Sequence, residues 1–378
     1  MPTISLCMIV KNEAKTLEKC LAFARPYVDE IVVIDTGSTD GTQAIAQRYA
    51  DVYDEIEWPN SFAIARNYSF DKGSGDYILI LDGDEYIPNP QHWALIRRTA
   101  EKSDVAAAQF TITNLMGEDK LIEADRFHQV RLVRNDPSIR YEGRVHNQIQ
   151  RGIEAYMRRT GYKQIRIGAE VIHTGYALGR HDLKKKYEPR LALLEYELEH
   201  AENEKFRSYY SYQLGVSMFV LRDLEKALEY FEAVDNRAMM PRNAFYGHLL
   251  AAQAALNLNR PGQALRHANS LLAIDPNEPI VYYTTGLALL LAQQPSDGLL
   301  MLLHAFKLGE RKDVVINYSV NPLLLLKRMG DICAAGKLDR YAHIFHTYAE
   351  QKTYNPQVVL ALIAELQTRL VQSERMAA

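Results

Sequence analysis

Short runs of apolar and β-branched residues alternate with segments of helical periodicity up to about residue 180. The first runs are apolar on both faces, which is typical of strands buried between two helix layers in a mostly parallel sheet. They are ISLCMIV at 4–10, EIVVID at 30–35 and YILILD at 77–82. Later runs have less helix between them, so we expect an antiparallel extension of the sheet at 105–113, 129–134 and 169–175.

The pattern changes near residue 180, and after Pro189 helical spacing of apolar residues takes over. We therefore predict an α/β domain over 1–180, a linker helix over 181–204 and helical repeats over 205–378. Within the first domain, the polar residues Ser38-Thr39-Asp40 and Ser61 precede apolar periods, so helices are expected to begin there.

Small residues recur in pairs along the helical half, with first members at 215, 252 and 286, which are intervals of 37 and 34 residues. The spacing resembles tetratricopeptide repeats, in which helix pairs of ~34 residues stack because one pair cannot bury its apolar face alone. We expect three such units and a fourth after Leu323, and an unspecialised helical bundle is the alternative. The pairs are Gly215 and Ala227, Ala252 and Ala264, and Gly286 and Gly298.

The composition is that of an ordinary globular protein, with 47% hydrophobic and 24% charged residues in 378. The net charge of -3 leaves no overall basic field for nucleic acid or an anionic membrane. Cys7, Cys20 and Cys333 lack metal-binding spacing, so buried thiols are expected. The start does not read as a secretory signal and no apolar stretch approaches the ~20 residues that span a bilayer, so we expect a cytoplasmic protein.

Three polar clusters come directly after predicted strands, where open α/β sheets bind their ligands. Asp35 ends the second strand; Asp82, Asp84 and Glu85 end the strand YILILD; Val10-Lys11-Asn12-Glu13 follows the first. Two carboxylates around Gly83 can bind a hard cation such as Mg²⁺ or Mn²⁺. An isolated Asp-Gly-Asp would indicate an ordinary loop, but carboxylates gathered at one edge require a cation or hydrogen-bond donors.

Four ordered motifs, SLCMIVKNE, DEIVVIDTGSTDGT, FAIARN and GDYILILDGDEY, resemble glycosyltransferase family 2 with its GT-A fold over roughly residues 1–180. RLVRND, IRYEGRVHNQI and VIHTGYA also resemble the branch with C-terminal tetratricopeptide repeats, which includes the bacteriocin S-glycosyltransferases of bacteria. The resemblance implies inverting transfer of a hexose or N-acetylhexosamine from a nucleotide-diphosphate donor, with uridine as the expected nucleoside.

The same resemblance implies roles for individual residues. Asp35 recognises the base or ribose, Val10 and Asn12 line the base pocket, and Arg66 holds the nucleotide with a guanidinium that can pair or stack. Asp84 binds the metal, and Asp82 touches ribose or metal. The other nucleotide-site candidates lie on the same two loops and are Glu13, Gly37 and Ser38.

Two histidines are further candidates. His173 resembles the late histidine that completes the metal site in many enzymes of this fold, and a hydrogen-bonded histidine at a strand end is the alternative. His146 lies where the family's catalytic base is found, but relatives usually have an acid immediately after it and this chain has Asn147. The base is therefore His146, which we favour, Glu142 or Glu85, unless the acceptor is a readily ionised thiol.

Two other functions are compatible with parts of the pattern. A nicotinamide-dependent oxidoreductase would need a G-x-G-x-x-G turn, and VKNEAKT after the first strand lacks the glycines. A non-catalytic adaptor is favoured by Asn147 but opposed by the presence of Asp35, Arg66, Asp82 and Asp84 together. If the chain is an enzyme, extended repeat surfaces favour a protein or peptide acceptor, with a saccharide as the alternative, and a homodimer through the helical half is expected.

Overall fold

A computed structural model describes residues 1–115, 122–144, 148–174, 180–309 and 317–377. The chain divides into two units, one of residues 1–116 and 126–179 and the other of residues 117–125 and 180–378. The first unit contains the mixed sheet and the second is almost entirely helical.

The sheet of the first unit has the strand order β3-β2-β1-β4-β7-β6-β8-β5. β1 is parallel to β2 and β4, and β2 is parallel to β3, whereas β7 is antiparallel to β4 and β5 is antiparallel to β8. The predicted parallel sheet with an antiparallel extension is therefore confirmed. The strands are β1 Ile4–Val10, β2 Glu30–Asp35, β3 Val52–Glu55, β4 Tyr77–Ile80, β5 Glu85–Tyr86, β6 Val105–Leu115, β7 Ile122–Arg134 and β8 Lys163–His173.

Strands β1, β2 and β4 are buried on both faces, as their continuous apolar runs predict. In β2, Ile31 and Val33 belong to one hydrophobic cluster, and Val32 and Ile34 belong to another. Because successive side chains point to opposite faces of a strand, the sheet has a separate apolar layer on each side. The prediction of buried thiols is also confirmed, since all three cysteines are free and buried.

The helices of the first unit show one capping prediction that is right and one that is right in part. Ser61 caps α3 by accepting a hydrogen bond from the backbone N–H of Ile64 at 3.3 Å. The second helix begins only at Thr42, after Gly41 with φ +92°. Of the predicted residues Ser38-Thr39-Asp40, Asp40 Oδ1 accepts from the Thr42 N–H at 3.1 Å, whereas Ser38 Oγ accepts from Asn12 in the loop after β1. The helices are α1 Leu17–Ala24, α2 Thr42–Tyr49, α3 Phe62–Lys72, α4 Pro90–Ala100 and α5 Gln150–Thr160.

The second unit is a series of consecutive helix pairs, which confirms the predicted repeats, including a fourth pair that begins at Pro322. None of the helices described is long and apolar enough to cross a membrane. The helices are α6 Arg180–Glu199, α7 Glu204–Leu221, α8 Leu224–Glu232, α9 Pro241–Asn257, α10 Pro261–Ile274, α11 Pro279–Leu291, α12 Pro295–Leu308, α13 Pro322–Ala335, α14 Asp339–Glu350 and α15 Pro356–Ala377; a 3₁₀ turn at Asn236–Ala238 and a short strand, β9 Asn317–Val320, complete the unit.

The recurring small residues lie where paired helices approach most closely. A Cβ atom on Gly215 of α7 would lie 2.7 Å from the ring of Phe231 on α8, and one on Gly286 of α11 would lie 2.9 Å from the carbonyl oxygen of Gly298 on α12. Real Cβ atoms do not approach other atoms so closely, so the helix spacing in these two pairs depends on glycine.

Gly215→Ala is expected to lower the free energy of unfolding by about 1–3 kcal/mol, because the added methyl group overlaps a ring that is packed on all sides. The matched control is Gly262→Ala in α10, where an added Cβ meets no atom within 4 Å. That change should raise stability by about 0.5–1 kcal/mol, since alanine favours the helix. Urea denaturation of both variants measures the difference, and equal stabilities would contradict the close approach.

A pair of histidines, of which His267 is buried and His248 half-buried, joins α9 and α10, with 3.0 Å between their Nδ1 atoms. Burial first, and then the neighbouring His248, lowers the pKa of His267 from 6.5 to about 4, although Glu232 opposes the shift. The unfolded chain therefore takes up a proton at a higher pH than the folded chain does.

The free energy of unfolding should consequently fall by up to about 3 kcal/mol as the pH is lowered from about 6.5 to about 4, and should be insensitive to this group above that window. Thermal unfolding followed by circular dichroism at several pH values measures the slope. His267→Leu should flatten it, whereas His343→Gln, at an exposed position of α14, should leave it unchanged. An unaltered slope in His267→Leu would assign the acid sensitivity to other groups.

Candidate active site

The loops after β1, β2 and β4 meet at one edge of the sheet because these strands are parallel neighbours. Val10 is paired with Asp35, so β1 and β2 end at the same level, and β4 ends at Ile80, opposite Cys7 and three residues short of Val10. The segment after β4 reaches the same edge, since Gly83 lies against Glu13 in the loop after β1. The prediction that the three polar clusters share one edge is thereby confirmed in the fold, although the function of each residue is a separate question.

Asp35 is completely buried at the end of β2. Its Oδ1 accepts hydrogen bonds from the backbone N–H groups of Gly37 at 2.8 Å and Ser38 at 2.7 Å. Its Oδ2 is buried and has no hydrogen-bond partner in the part of the chain that the structure describes. An unpartnered carboxylate oxygen in a protein interior is costly, so this atom is suited to accept a hydrogen bond from a ligand.

The loop after β1 is held against the loop after β2. The backbone N–H of Asn12 donates to Ser38 Oγ at 2.9 Å, and Asn12 Oδ1 accepts from the backbone of Thr39 at 2.8 Å. Asn12 has φ +57°, a left-handed conformation that asparagine tolerates better than most residues. The Val10 side chain belongs to the core, and its carbonyl oxygen accepts from Thr36 at 3.0 Å. Asn12 thus connects the two loops that surround Asp35.

Residues 82–85 form a tight turn closed by two hydrogen bonds. The N–H of Asp82 donates to Glu85 Oε2 at 2.9 Å, and the N–H of Glu85 donates to the Asp82 carbonyl at 3.0 Å. A Cβ atom on Gly83 would lie 3.1 Å from Glu13 Cγ, so the turn packs closely against the loop after β1, and a side chain there would require Glu13 to shift by a few tenths of an ångström.

Arg66 projects from α3 towards this turn, and its guanidinium lies 2.5 Å from Asp82 Oδ1. It also lies 5.6 Å from the ring centroid of Tyr141. Burial opposes ionisation of Asp82, but the charges of Arg66 and Arg131 outweigh it and hold the pKa of Asp82 below its usual value. Asp82 is therefore an ionised carboxylate that already has a cationic partner.

Asp84 and His173 face each other, with 3.2 Å between Asp84 Oδ2 and His173 Nε2. The pairing of β5 with β8 brings His173 beside Glu85, and the pairing of β6 with β8 brings it beside Asn114. His173 Nδ1 lies 2.7 Å from Asn114 Oδ1. Asn114 had no signal in the sequence, because it is an ordinary polar residue near the end of a strand.

Asp82 does not join Asp84 and His173 in a common ligand set. Among the residues that the structure describes, no group of three or more histidine, cysteine, aspartate or glutamate side chains is arranged to hold a metal ion. The proposed metal ligands Asp84 and His173 are brought together, whereas the Asp82 carboxylate contacts Arg66.

Of the candidate bases, Glu85 is only 2% exposed, and both of its oxygens are engaged. Oε1 pairs with Arg131 and Oε2 accepts from Asp82. Burial raises the pKa of Glu85, and Arg131 opposes the shift. A carboxylate in this arrangement does not present a free oxygen to an acceptor.

Glu142 is the more accessible candidate, with a side chain 55% exposed and 3.3 Å from Arg151. It exchanges two backbone hydrogen bonds with Gln148, each 2.9 Å long. His146 and Asn147 lie outside the described residues. The preceding segment is anchored on α3, where the Asn67 side chain makes hydrogen bonds of 3.0 and 2.8 Å with the backbone of Tyr141.

Comparison with known proteins identifies the class of the first unit. Residues 5–186 match the model of glycosyl transferase family 2. These residues therefore form a family 2 glycosyltransferase domain, and a tetratricopeptide-like helical region follows it.

Two curated relatives match parts of this chain, one named for TPR repeats and the other named as a glycosyltransferase. A TPR repeat-containing protein of Synechococcus elongatus is 32% identical over 186 residues, 49% of this chain and 45% of the relative. The prophage-derived glycosyltransferase SunS of Bacillus subtilis is 26% identical over 236 residues, 61% of this chain and 53% of the relative. The chain thus spans about half the length of the curated relatives it matches. The solved structure of S. aureus TarS covers 70% of this chain and aligns over 55% of its own length, with 15% identity and a TM-score of 0.37, which is too low to support a conclusion.

Proposed function

We propose that this protein is a metal-dependent, inverting glycosyltransferase that uses a nucleotide-diphosphate sugar, with uridine as the nucleoside. The observation that carries the proposal is the arrangement at one edge of a family 2 domain. Its components are an unpartnered oxygen of Asp35, the Arg66–Asp82 pair and the Asp84–His173 pair. A base or ribose can donate a hydrogen bond to the first, and a diphosphate can be bound by the positive charge of Arg66 and by a metal ion held at the last pair.

Asp35 supplies the acceptor for the base or ribose. Because Oδ1 is used by the backbone of Gly37 and Ser38, Oδ2 is held in one position without any rearrangement. A uracil imino group or a ribose hydroxyl can donate to it, and such a bond inside a protein is strongly selective for ligands that have the donor. Arg66 lies beside the turn of Asp82 and provides positive charge for the nucleotide.

The pair Asp84 and His173 fits a divalent cation. With Asn114 Oδ1 as an acceptor, His173 Nδ1 carries the proton, and a neutral ring then presents the Nε2 lone pair to the Asp84 carboxylate. His173 Nε2 and Asp84 Oδ2 would then be two acceptors 3.2 Å apart, and a proton or a metal ion between them would stabilise this contact. A bound Mn²⁺ or Mg²⁺ would stabilise the charge that develops on the leaving diphosphate. Donor oxygens and water would complete its coordination.

The acceptor must attack C1 of the sugar from the face opposite the diphosphate and lose a proton. We infer that this proton goes to Glu142 or His146, because Glu85 has both oxygens occupied. A thiol acceptor that is already ionised needs neither. We propose a protein or peptide acceptor bound by the helical repeats, whose stacked pairs offer an extended surface, with a saccharide acceptor and a homodimer as alternative uses of that surface.

The test is release of uridine diphosphate by the full chain from uridine diphosphate-linked glucose, galactose and their N-acetyl forms, with Mn²⁺, with Mg²⁺ and with a chelator. Calorimetry with the same donors measures binding. We expect metal-dependent binding of one or more donors and slow hydrolysis. Absence of both with every donor would refute the enzyme and favour a non-catalytic adaptor. A subsequent screen of peptides and oligosaccharides in the presence of the best donor identifies the acceptor class.

A further inference from the structure

Arg131 is a buried arginine of β7 to which the sequence motifs assign no role. Its side chain is 5% exposed, and its guanidinium forms an ion pair with Glu85, which is 2% exposed. No described residue accepts a hydrogen bond from the Nε atom of Arg131. Replacing such a buried pair with apolar residues often leaves stability unchanged or improves it, so stability alone does not explain the arginine.

The position of Arg131 connects it to the donor site. In the antiparallel pairing of β7 with β4, Leu132 is opposite Leu79, which places Arg131 beside the end of β4. Its partner Glu85 uses the other oxygen to accept the N–H of Asp82 at 2.9 Å. A continuous chain of contacts therefore runs from Arg131 through Glu85 to the first residue of the Asp82-Gly83-Asp84 turn.

The contacts from Arg131 through Glu85 to Asp82 depend on balancing the negative charges of the turn with positive ones. Residues 82–85 contain three acids, and Arg66 and Arg131 form ion pairs with two of them, Asp82 and Glu85. Without Arg131, the buried Glu85 carboxylate would lose the partner of Oε1 and its side chain would reorient. A reoriented Glu85 no longer places Oε2 to accept from the Asp82 N–H.

We propose that Arg131 is a positioning residue for the donor site, which acts through Glu85 to hold the Asp82-Gly83-Asp84 turn in its binding geometry. The inference rests on the proposed glycosyltransferase function and explains why Glu85 follows the two aspartates. Glu85 is then an anchor for the turn and does not exchange protons with the acceptor.

Arg131→Met tests the proposal, with Arg134→Met as the matched control. Arg134 lies three residues further along β7, stacks on Tyr77 at 4.4 Å and donates to the carbonyls of Val105 and Ser103. The Arg134→Met control therefore removes an arginine of the same strand that does not contact Glu85 or the Asp82-Gly83-Asp84 turn in the contacts described. At a temperature where both variants are folded, Arg131→Met should raise KM for the donor by about tenfold or more with a smaller change in kcat, and Arg134→Met should leave KM unchanged. Equal KM values in the two variants would overturn the proposal.

Two double variants distinguish the hydrogen bond that Glu85 accepts from Asp82 from the charges of Glu85 and Arg131. They can be compared with each other even if Arg131→Met alone does not fold. Glu85→Gln with Arg131→Met removes both charges but keeps an oxygen that can accept from Asp82. Glu85→Leu with Arg131→Met removes both charges and the acceptor. Donor KM should be near the wild-type value in the first and about tenfold higher in the second.

Equal donor KM in these two double variants would show that Glu85 does not anchor the turn, and the proposal would then be wrong. Retention of the full Arg131→Met defect in the Gln variant would show that Arg131 acts on the donor without Glu85. Failure of the glycosyltransferase function itself is distinguishable from both results, because the wild-type chain would then neither bind nor turn over any donor.

Discussion

Asp84→Asn is expected to lower kcat/KM for sugar transfer by about three orders of magnitude, the largest effect of any single change at the site. The substitution keeps the shape of a side chain that is only 8% exposed but removes the charge that faces His173. An amide is a weak ligand for Mn²⁺ or Mg²⁺, so charge on the leaving diphosphate would lose its main stabilisation. Initial rates across a range of donor and metal concentrations measure the effect.

The companion measurement is the affinity for Mn²⁺ in the presence of uridine diphosphate, which should weaken in Asp84→Asn. Asp54→Asn is the control. Asp54 also lies at the end of a strand of the sheet, but it accepts from Tyr68 at 2.7 Å and pairs with Lys72 at 3.3 Å. It should retain normal rates. Full activity in Asp84→Asn would remove the metal from the mechanism that we propose.

Asp35→Asn is expected to raise KM for the donor by about 10–100-fold, which corresponds to about 1.4–2.7 kcal/mol, with little change in kcat. The amide oxygen can still accept from Gly37 and Ser38. The amide NH₂ group then takes the place of Oδ2. It faces the N–H or O–H group of the nucleotide with a second hydrogen-bond donor, so no hydrogen bond can form. The loss should therefore appear in ground-state binding of the nucleotide, which calorimetry with uridine diphosphate measures directly.

Thermal unfolding distinguishes this effect from damage to the fold. Among the described residues no group donates a hydrogen bond to Oδ2 of Asp35, so converting the buried carboxylate to a neutral amide should leave the melting temperature unchanged or raise it. Weaker nucleotide binding in an equally stable protein is the expected combination. Unchanged nucleotide affinity would exclude Asp35 as the recognition group and would require another explanation for its unpartnered oxygen.

The Asp35 and Asp84 predictions depend on different parts of one edge of the sheet. In the proposed function, Asp35 would act in binding and has its geometry set by two backbone N–H groups, whereas Asp84 would act on the charge of the departing group and is placed by the strand pairing that carries His173. Variants of the two residues should therefore separate KM from kcat, which a general loss of folding would not do.

Much of the first unit could be predicted from sequence because its strands are apolar on both faces. The limits of β1 and β2 agree with the runs at 4–10 and 30–35, while β4 ends at Ile80, two residues early. The end of β4 could not be predicted from the sequence, because Leu81 and Asp82 belong to the same apolar run with its terminal acid. In the structure these two residues lie outside the strand, and Asp82 begins the turn that Glu85 closes. The start of α2 was predicted a few residues early, since Ser38 accepts from another loop and Asp40 is the residue that accepts from Thr42.

The sequence by itself determined the two-part architecture, the common edge for Asp35, Asp82 and Asp84, and the small residues where helices pair. These follow from local periodicity and from the rule that parallel strands end together. Only the tertiary structure decided which groups pair at that edge. It directs Asp82 to Arg66, Asp84 to His173 and Glu85 to Arg131, and it leaves one oxygen of Asp35 unpartnered. The physical reason is that partner choice among several carboxylates depends on distances and burial set by strands far apart in the chain.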